Sequence, residues 1–358
     1  MKKNKAELLI KRRKKLAILL KQNKSDCLLI SKKENIFYLT NFKIDDALLV
    51  MTAGGKAVIY SDPRYKLELS LNPLSGITAA CIYENCKTPF WQFAASKLKE
   101  EGCKQVCVED SLNVASFLKL KEYLPCVKSI HHVVEEVRQI KDAEEIDLIK
   151  KAAKLGHSAV NSVKHKVKAG IAEEEIAFEF KKIIFERSLG KARPAFDVLV
   201  SSGLRSAMPH GAAGSKKIRQ GECVLIDAGV KMDGYNSDLT RMVSVGRISD
   251  NNKKIIGIVK DAQRFAIEKV KAGVKISVID KTARDFIAKK GYGKFFVHAA
   301  GHGVGLEVHE KPAISPANKA YLKAGMIFTI EPAIYIPETG GARIEDMILV
   351  TEKGFEVI

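Results

Sequence analysis

Between Asp26 and Glu109 short apolar runs alternate with polar turns: DCLLIS, NIFYLT, DALLVM, KAVIYS, TAACIYE and QVCVE, with a turn at Ala53-Gly54-Gly55. Runs of this length bounded by turn residues predict strands, and the helix-like pieces from Pro63 to Leu71 and from Pro89 to Lys99 make the segment α/β. Upstream, Leu8, Leu9, Leu16, Leu19 and Leu20 recur at helical spacing with lysines and arginines between them, which predicts an amphipathic, exposed helix. The charged stretch VVEEVRQIKDAEEIDLIKKAA follows, with Asp142 placed to cap a helix and Glu145 as its capping-box partner. A domain boundary is expected just before it, giving domains over 1–133 and 134–358.

The second half opens with two helical patterns, Asp142 to Lys168 and Ala172 to Arg187, separated at Gly170. Strand-like runs follow at FDVLVSS, ECVLIDAGV, TRMVSV, MIFTIEPAIYI and ARIEDMILV, with a helical pair from Asn251 to Lys290 between them. This order predicts an α+β domain with one curved sheet carrying helices on its outer face. The chain has no low-complexity segment and no short-period repeat.

At 358 residues, 46% of them hydrophobic, the chain can fill two cores. Its net charge is +18, and the first 33 residues supply +10 of it, with twelve Lys or Arg against Glu7 and Asp26. The apolar pieces there are too short to span a membrane and lack a small-residue cleavage site, so neither a signal peptide nor a membrane partner is expected. A basic helix can bind nucleic acid, yet a charge run is more often a solvated face, and no nucleic-acid module accompanies it. The seven cysteines (27, 81, 86, 103, 107, 126 and 223) form no CxxC pair and lack histidines at zinc-finger spacing. They read as small buried hydrophobes in a reducing cytoplasm.

Candidate chemistry concentrates in the second half. Asp227 ends the apolar run VLID and Asp238 follows after a turn through Asp233-Gly234. Glu331 ends FTIE, and Glu345 follows after PETGG in ARIEDM. Two hairpins would each present a carboxylate pair, and acids set in buried-looking strands are costly unless paired or bound to metal. GHGVGLEVHE adds His302 framed by glycines and His309 beyond it, and MPHG adds His210. Any one of these alone is unremarkable as a turn or core residue; together they describe an oxygen-rich metal site.

The runs MPHG, VLIDAGVKMDGYNSDLTRMVSVG, HAAGHGVGLEVHE, FTIEPAIY and ARIEDMILV resemble the five motif blocks of the pita-bread metallopeptidases, the superfamily of methionine aminopeptidases, Xaa-Pro aminopeptidases and prolidases. NIFYLTNF and AVIYSDPRY resemble the creatinase-type domain that precedes the catalytic domain in the Xaa-Pro branch. The resemblance implies an α/β creatinase-like N-terminal domain followed by an α+β pita-bread catalytic domain. It places the five metal ligands on Asp227, Asp238, His302, Glu331 and Glu345, with Asp238 and Glu345 bridging two divalent ions. Oxygen ligands with one imidazole suit Mn²⁺, Co²⁺, Fe²⁺ or Zn²⁺, and the resemblance puts manganese or cobalt first. Glu331 would also shuttle a proton to the leaving nitrogen, while His210 and His309 would stabilise the oxyanion and contact the peptide. His298 would line the substrate pocket, and Arg343 would support the acids or meet the substrate's carboxylate.

The implied activity is hydrolysis of an Xaa-Pro bond by a metal-activated water, either at the N-terminus of peptides or in dipeptides alone; the sequence separates these two poorly. The creatinase-like domain disfavours a methionine aminopeptidase, and the full acidic set argues against creatinase, which works without metal. A different reading is a catalytically inactive pita-bread binding protein whose basic N-terminus recruits nucleic acid, but such relatives have degraded ligand sets. The expected partner is a proline-containing peptide, with no nucleic acid, in a cytoplasmic homodimer.

Overall fold

Cys27–Ile30 is apolar at every position because it is a central strand, paired on both edges and covered on both faces. The structure, a computed structural model, describes residues 2–71, 79–82 and 88–358, and the chain divides after Arg138 into two units. The first holds β1 (Cys27–Ile30), β2 (Ala47–Thr52), β3 (Ala57–Ser61), β4 (Ala79–Ile82), β5 (Val106–Glu109) and β6 (Lys128–Ile130) in one sheet of order β4-β3-β2-β1-β5-β6. Its helices are α1 (Lys2–Gln22), α2 (Lys33–Thr40), α3 (Lys66–Leu71), α4 (Phe90–Glu100), α5 (Val114–Tyr123) and α6 (Val133–Arg138).

Several expectations need correction. NIFYLT lies in α2 rather than a strand: its buried positions Asn35, Ile36, Tyr38, Leu39 and Thr40 recur at three- and four-residue spacing, and Asn41 closes the helix in the left-handed region at φ 57°. Helix α1 buries Leu9, Leu16 and Leu20 as its pattern predicts, but Arg12 and Arg13 are buried with them. Arg12 donates to Tyr38 O at 3.0 Å and lies over the Tyr38 ring, and Arg13 donates to Leu39 O at 2.6 Å. The basic run is therefore only partly a solvated face, since two of its cations satisfy carbonyls at the end of α2. Of the cysteines, Cys27, Cys107 and Cys223 are buried, Cys103 is half-buried, and Cys126 is exposed because it sits in the loop between α5 and β6. Cys86 and the Cys81 side chain lie outside the described residues.

A stability prediction follows for α1. Changing the exposed Lys11, Lys14 and Lys15 together to Gln should shift stability by no more than about 0.5 kcal/mol. Arg12→Gln and Arg13→Gln should each cost about 1–3 kcal/mol by stranding a buried carbonyl. Urea midpoints would separate the two sets, and equal effects would contradict this division of the run.

The second unit begins with α7 (Ala143–Lys164), opened by the capping box: Asp142 accepts from Glu145 N and Glu145 accepts from Asp142 N, both at 3.0 Å. Helix α7 stops short of Lys168, where the chain turns toward Gly170 at φ 92°. The remaining helices are α8 (Glu173–Ser188), α9 (Asp250–Ile267) and α10 (Ile276–Lys289). The strands are β7 (Ala192–Pro194), β8 (Leu199–Ser202), β9 (Cys223–Ala228), β10 (Val230–Met232), β11 (Tyr235–Asn236) and β12 (Leu239–Ser244), then β13 (Gly301–Gly303), β14 (Glu310–Ile314), β15 (Ile327–Ile330), β16 (Ala333–Ile336), β17 (Gly340–Arg343), β18 (Asp346–Val350) and β19 (Phe355–Val357).

Instead of one continuous sheet, the described strands form pieces of order β11-β10-β7, β12-β9-β8, β14-β13-β15-β18-β19 and β16-β17. Both long apolar runs break at an acid, MIFTIEPAIYI at Glu331-Pro332 and ARIEDMILV at Ile344-Glu345. Pro332 has no N–H to offer a ladder, so the break there is intrinsic. Helices α7 and α8 bury Val160, Val163, Phe180 and Ile184 against Val200, Val224 and Ile226; α9 and α10 bury Val259, Ile279 and Ile287 against Phe328, Ile330 and Ile348. Each helix pair fixes one set of strands, and the strand ends and breaks carry the polar residues.

Candidate metal centre

Strand alternation explains how an acid enters the interior. On β9, Val224, Ile226 and Ala228 face the α7–α8 core, so Asp227 points to the opposite face. Asp233 and Gly234, at φ 52° and 93°, make the tight turn between β10 and β11 that brings the chain back. β12 then pairs with β9, Thr240 opposite Asp227, which leaves Asp238 one residue before the ladder. Glu345 sits in the break between β17 and β18, bridged to Thr240, whose Oγ1 donates to Glu345 Oε2 at 2.6 Å. Glu331 leaves the end of β15 with its own N–H held by Ala300 O at 2.8 Å.

The glycines around His302 are required by close backbone contact. A Cβ on Gly301 would lie 1.9 Å from Thr329 O, and one on Gly303 2.2 Å from Lys311 O. Strand β13 is thus pressed between β14 and β15, and His302 projects from it toward the acids. Its Nδ1 lies 3.1 Å from Gly303 O, a group that can only accept, so the ring proton resides on Nδ1. Nε2 then turns a lone pair toward Glu331 Oε1 at 3.3 Å and Asp238 Oδ2 at 3.7 Å. A lone pair facing two carboxylates is repulsive unless a cation or protons lie between them.

The acids themselves pose the same demand. Asp227, Asp238 and Glu345 are 8%, 5% and 2% exposed, and Oδ1 of both aspartates is buried without a hydrogen-bond partner among the described residues. Burial first, then neighbouring carboxylates, raises the Asp238 and Glu345 carboxyls well above their ordinary range, and burial raises Glu331. One ligand atom from each of Asp238, His302 and Glu345 falls within 4.8 Å of the others. Orphaned oxygens, an imidazole lone pair and crowded acids are the donor set of a divalent-cation site, and the residues present fit one.

Arg343, 4% exposed, is the buried cation among these acids. It donates to Asp227 Oδ2, to Tyr335 OH at 2.6 Å, to Thr240 Oγ1 at 3.2 Å and to Pro209 O at 3.2 Å. Burial works against its charge, but Asp227, Tyr335 and the glutamates outweigh it and hold Arg343 ionised. Tyr335 is a site residue that the motif comparison did not single out. Its sequence signal is a phenol inside a buried strand, which needs a polar partner. Because Arg343 donates to the Tyr335 oxygen, the phenol proton is free to go to His298 Nε2, 3.1 Å away, and His298 Nδ1 donates to Ala299 O at 2.7 Å. Burial pushes the Tyr335 hydroxyl up to about 12 and lowers His298, His302 and His309, which keeps the three imidazoles neutral near pH 7.

Every residue singled out in the sequence, from His210 to Glu345, lines one cavity of about 710 Å³. His210 and His309 stand exposed at it, and the His309 ring packs 4.2 Å from that of His302. Phe196, Val297 and Tyr335 add apolar walls.

Residues 147–352 match metallopeptidase family M24, and residues 12–140 match the creatinase/prolidase N-terminal domain. The chain is 36% identical over 348 residues to the Xaa-Pro dipeptidase of Pyrococcus horikoshii, covering 95% of this chain and 94% of that one. Among solved structures it is similar to the Xaa-Pro dipeptidase from Bacillus anthracis, with a TM-score of 0.92, 34% identity and coverage of 98% and 97%. It is also similar to the X-Pro aminopeptidase from Thermotoga maritima, with a TM-score of 0.81, 32% identity and coverage of 93% and 95%. Nothing in these matches supports a binding protein without catalysis. With both halves matched in order and most of each relative's length covered, the chain belongs to metallopeptidase family M24, in the branch with a creatinase/prolidase N-terminal domain, and is a metal-dependent hydrolase.

Proposed function

We propose that this chain hydrolyses Xaa-Pro bonds, and that Asp227, Asp238, His302, Glu331 and Glu345 hold two divalent cations, with Asp238 and Glu345 shared between them. The observation that carries this reading is the pair of orphaned, buried aspartate oxygens beside the His302 lone pair. Manganese or cobalt is the first expectation, with zinc and iron open to the same ligands. Bound there, two such cations supply Lewis acidity, lowering the pKa of water from about 15.7 toward about 7 and polarising a carbonyl.

The chain's own residues supply the rest. Glu331, as the carboxylate, would take a proton from the attacking water and return it to the leaving nitrogen, and burial, which raises its carboxyl, makes it the stronger base for that transfer. In an Xaa-Pro bond that nitrogen is a tertiary amide, a poor leaving group until protonated. His210 and His309, exposed at the cavity, offer N–H donors to the scissile carbonyl as charge develops on its oxygen. His298, fixed by Tyr335, and Val297 form the wall against which the substrate rests.

Replacing His210 or His309 by Ala should lower kcat by about 10²–10⁴-fold with metal content unchanged. Parallel loss of metal would mean that these imidazoles are ligands. Metal affinity should also depend on pH in a defined direction. Asp238 and Glu345 retain protons above the ordinary carboxylate range, and these must leave when a cation binds. Apparent Mn²⁺ affinity should therefore rise with pH above about pH 4, with proton release into the buffer. Calorimetry in buffers of differing ionisation enthalpy would detect that release, and its absence would remove the protonated acids from the account.

Assays on Ala-Pro and Ala-Pro-Ala with added Mn²⁺ test the substrate reading. Cleavage of both indicates an aminopeptidase, cleavage of Ala-Pro alone a dipeptidase, and cleavage of neither would refute the proposal. We also assign the chain to a cytoplasmic homodimer without a nucleic-acid partner. The role of Arg12 and Arg13 as buried structural cations supports the last point. No described helix is long and apolar enough to cross a membrane.

A further inference from the structure

The segment from Phe296 to Ala300 carries His298 and forms one wall of the cavity, yet it lies outside any strand. Its backbone polar groups must still be satisfied, and following them leads to two residues one turn apart on α10. Arg284 Nη1 donates to Phe296 O at 2.9 Å and Nη2 to His298 O at 2.7 Å. Asp280 Oδ1 accepts from Ala300 N at 2.9 Å. The two side chains are locked together, Arg284 Nε to Asp280 Oδ2 at 2.8 Å and Nη2 to Asp280 Oδ1 at 2.9 Å. Three alternate residues of the wall are pinned at their backbones by one ion pair.

An ordinary helix-surface pair would have both partners in water. Here Asp280 is fully buried, and the guanidinium lies over the Phe296 ring, 4.3 Å from its centroid. That ring in turn meets the His298 ring edge-on at 5.4 Å. The clamp also reaches the acids, because the carbonyl of Ala300 accepts from the N–H of Glu331 at 2.8 Å. Val297, between the two clamped carbonyls, is left exposed to the cavity.

We propose that Asp280 and Arg284 are positioning residues that fix the substrate-facing wall Val297–Ala299, and through it the binding of the proline-containing substrate. This rests on the Xaa-Pro reading above. Neither residue touches the reacting atoms; they act by holding His298 and its flanking backbone at one distance from the acids. A rigid, cyclic side chain such as proline is best selected by a wall that does not yield, and a mutual ion pair bonded to alternate backbone groups supplies that rigidity.

The test uses the full-length, Mn²⁺-loaded protein with Arg284→Lys and Asp280→Asn. Lysine keeps a positive charge beside Asp280 but cannot donate to both carbonyls while holding the carboxylate. The expected result for Arg284→Lys is a KM for Ala-Pro raised about tenfold with kcat within about threefold of wild type. Metal content should be unchanged, and amide exchange should accelerate within residues 296–300 but not across the domain. Should Asp280→Asn fail to fold, Arg284→Lys, in which the acid keeps a counter-charge, carries the test. A wild-type KM in Arg284→Lys, or unaltered exchange over 296–300, would overturn the proposal. Failure of the Xaa-Pro reading would look different: the wild type itself would not cleave Ala-Pro, and the exchange measurement would still decide whether the clamp holds the wall.

Discussion

Asp238→Ala should lose bound metal and reduce hydrolysis of Ala-Pro by at least about 10⁴-fold, because enzymatic accelerations of 10⁶ or more cannot survive loss of the activated nucleophile. Asp238 is the most sensitive of the acids for a geometric reason. It lies one residue before β12, its Oδ2 faces His302, and Glu345, Asp227 and Glu331 all act on its charge. Under the proposed assignment this carboxylate would be shared, so its removal would withdraw a ligand from both cations at once. The metal-free variant should nevertheless fold, since deleting one of several crowded acids relieves repulsion in the absence of cations. Elemental analysis of the purified variant, with its circular dichroism and its turnover in excess Mn²⁺, decides the matter. A folded Asp238→Ala with wild-type turnover would refute the shared-ligand assignment.

Arg343→Leu should have the largest effect on stability. It removes the cation that holds Asp227, Tyr335, Thr240 and the carbonyl of Pro209 together. Breaking a buried pair from one side costs about 3–5 kcal/mol, because the remaining charge is left uncompensated. The loss should be larger in metal-free protein than in protein saturated with Mn²⁺, whose charge replaces part of the guanidinium's. Arg343→Lys should not rescue the variant, since a single ammonium cannot reach partners lying in several directions. Chemical denaturation with and without Mn²⁺ measures each difference; a loss below about 1 kcal/mol in the metal-free protein would show that the guanidinium is not the counter-charge inferred here.

The candidate residues that share one cavity were legible in the sequence because Asp227, Glu331 and Glu345 each end or interrupt an apolar run and Asp238 follows the Asp233-Gly234 turn. A run such as VLID or FTIE announces a buried strand, and an acid at its end has to be explained by a partner. The hairpin turn at Asp233-Gly234 and the capping box at Asp142 were legible for the same reason, since both are set by neighbours in sequence. Other parts depend on contacts that local pattern does not record. Tyr335 joins the site through Arg343 and His298, and Arg12 and Arg13 are buried only because the end of α2 presents carbonyls to them. Asp280 and Arg284 read as a routine helical i,i+4 pair until the backbone of residues 296–300 is seen against them. NIFYLT misled because aromatic and β-branched residues favour strands, and packing overrode that preference.

The central claim is that five side chains hold two cations whose presence makes Xaa-Pro hydrolysis possible. It is tested most directly by titrating the metal-free, full-length protein with Mn²⁺ while following bound metal and Ala-Pro cleavage in the same samples. Activity should be absent in chelator, rise with occupancy and saturate at two ions per chain. Ala-Pro cleavage that persists in chelator, or full occupancy without any cleavage, would contradict the account.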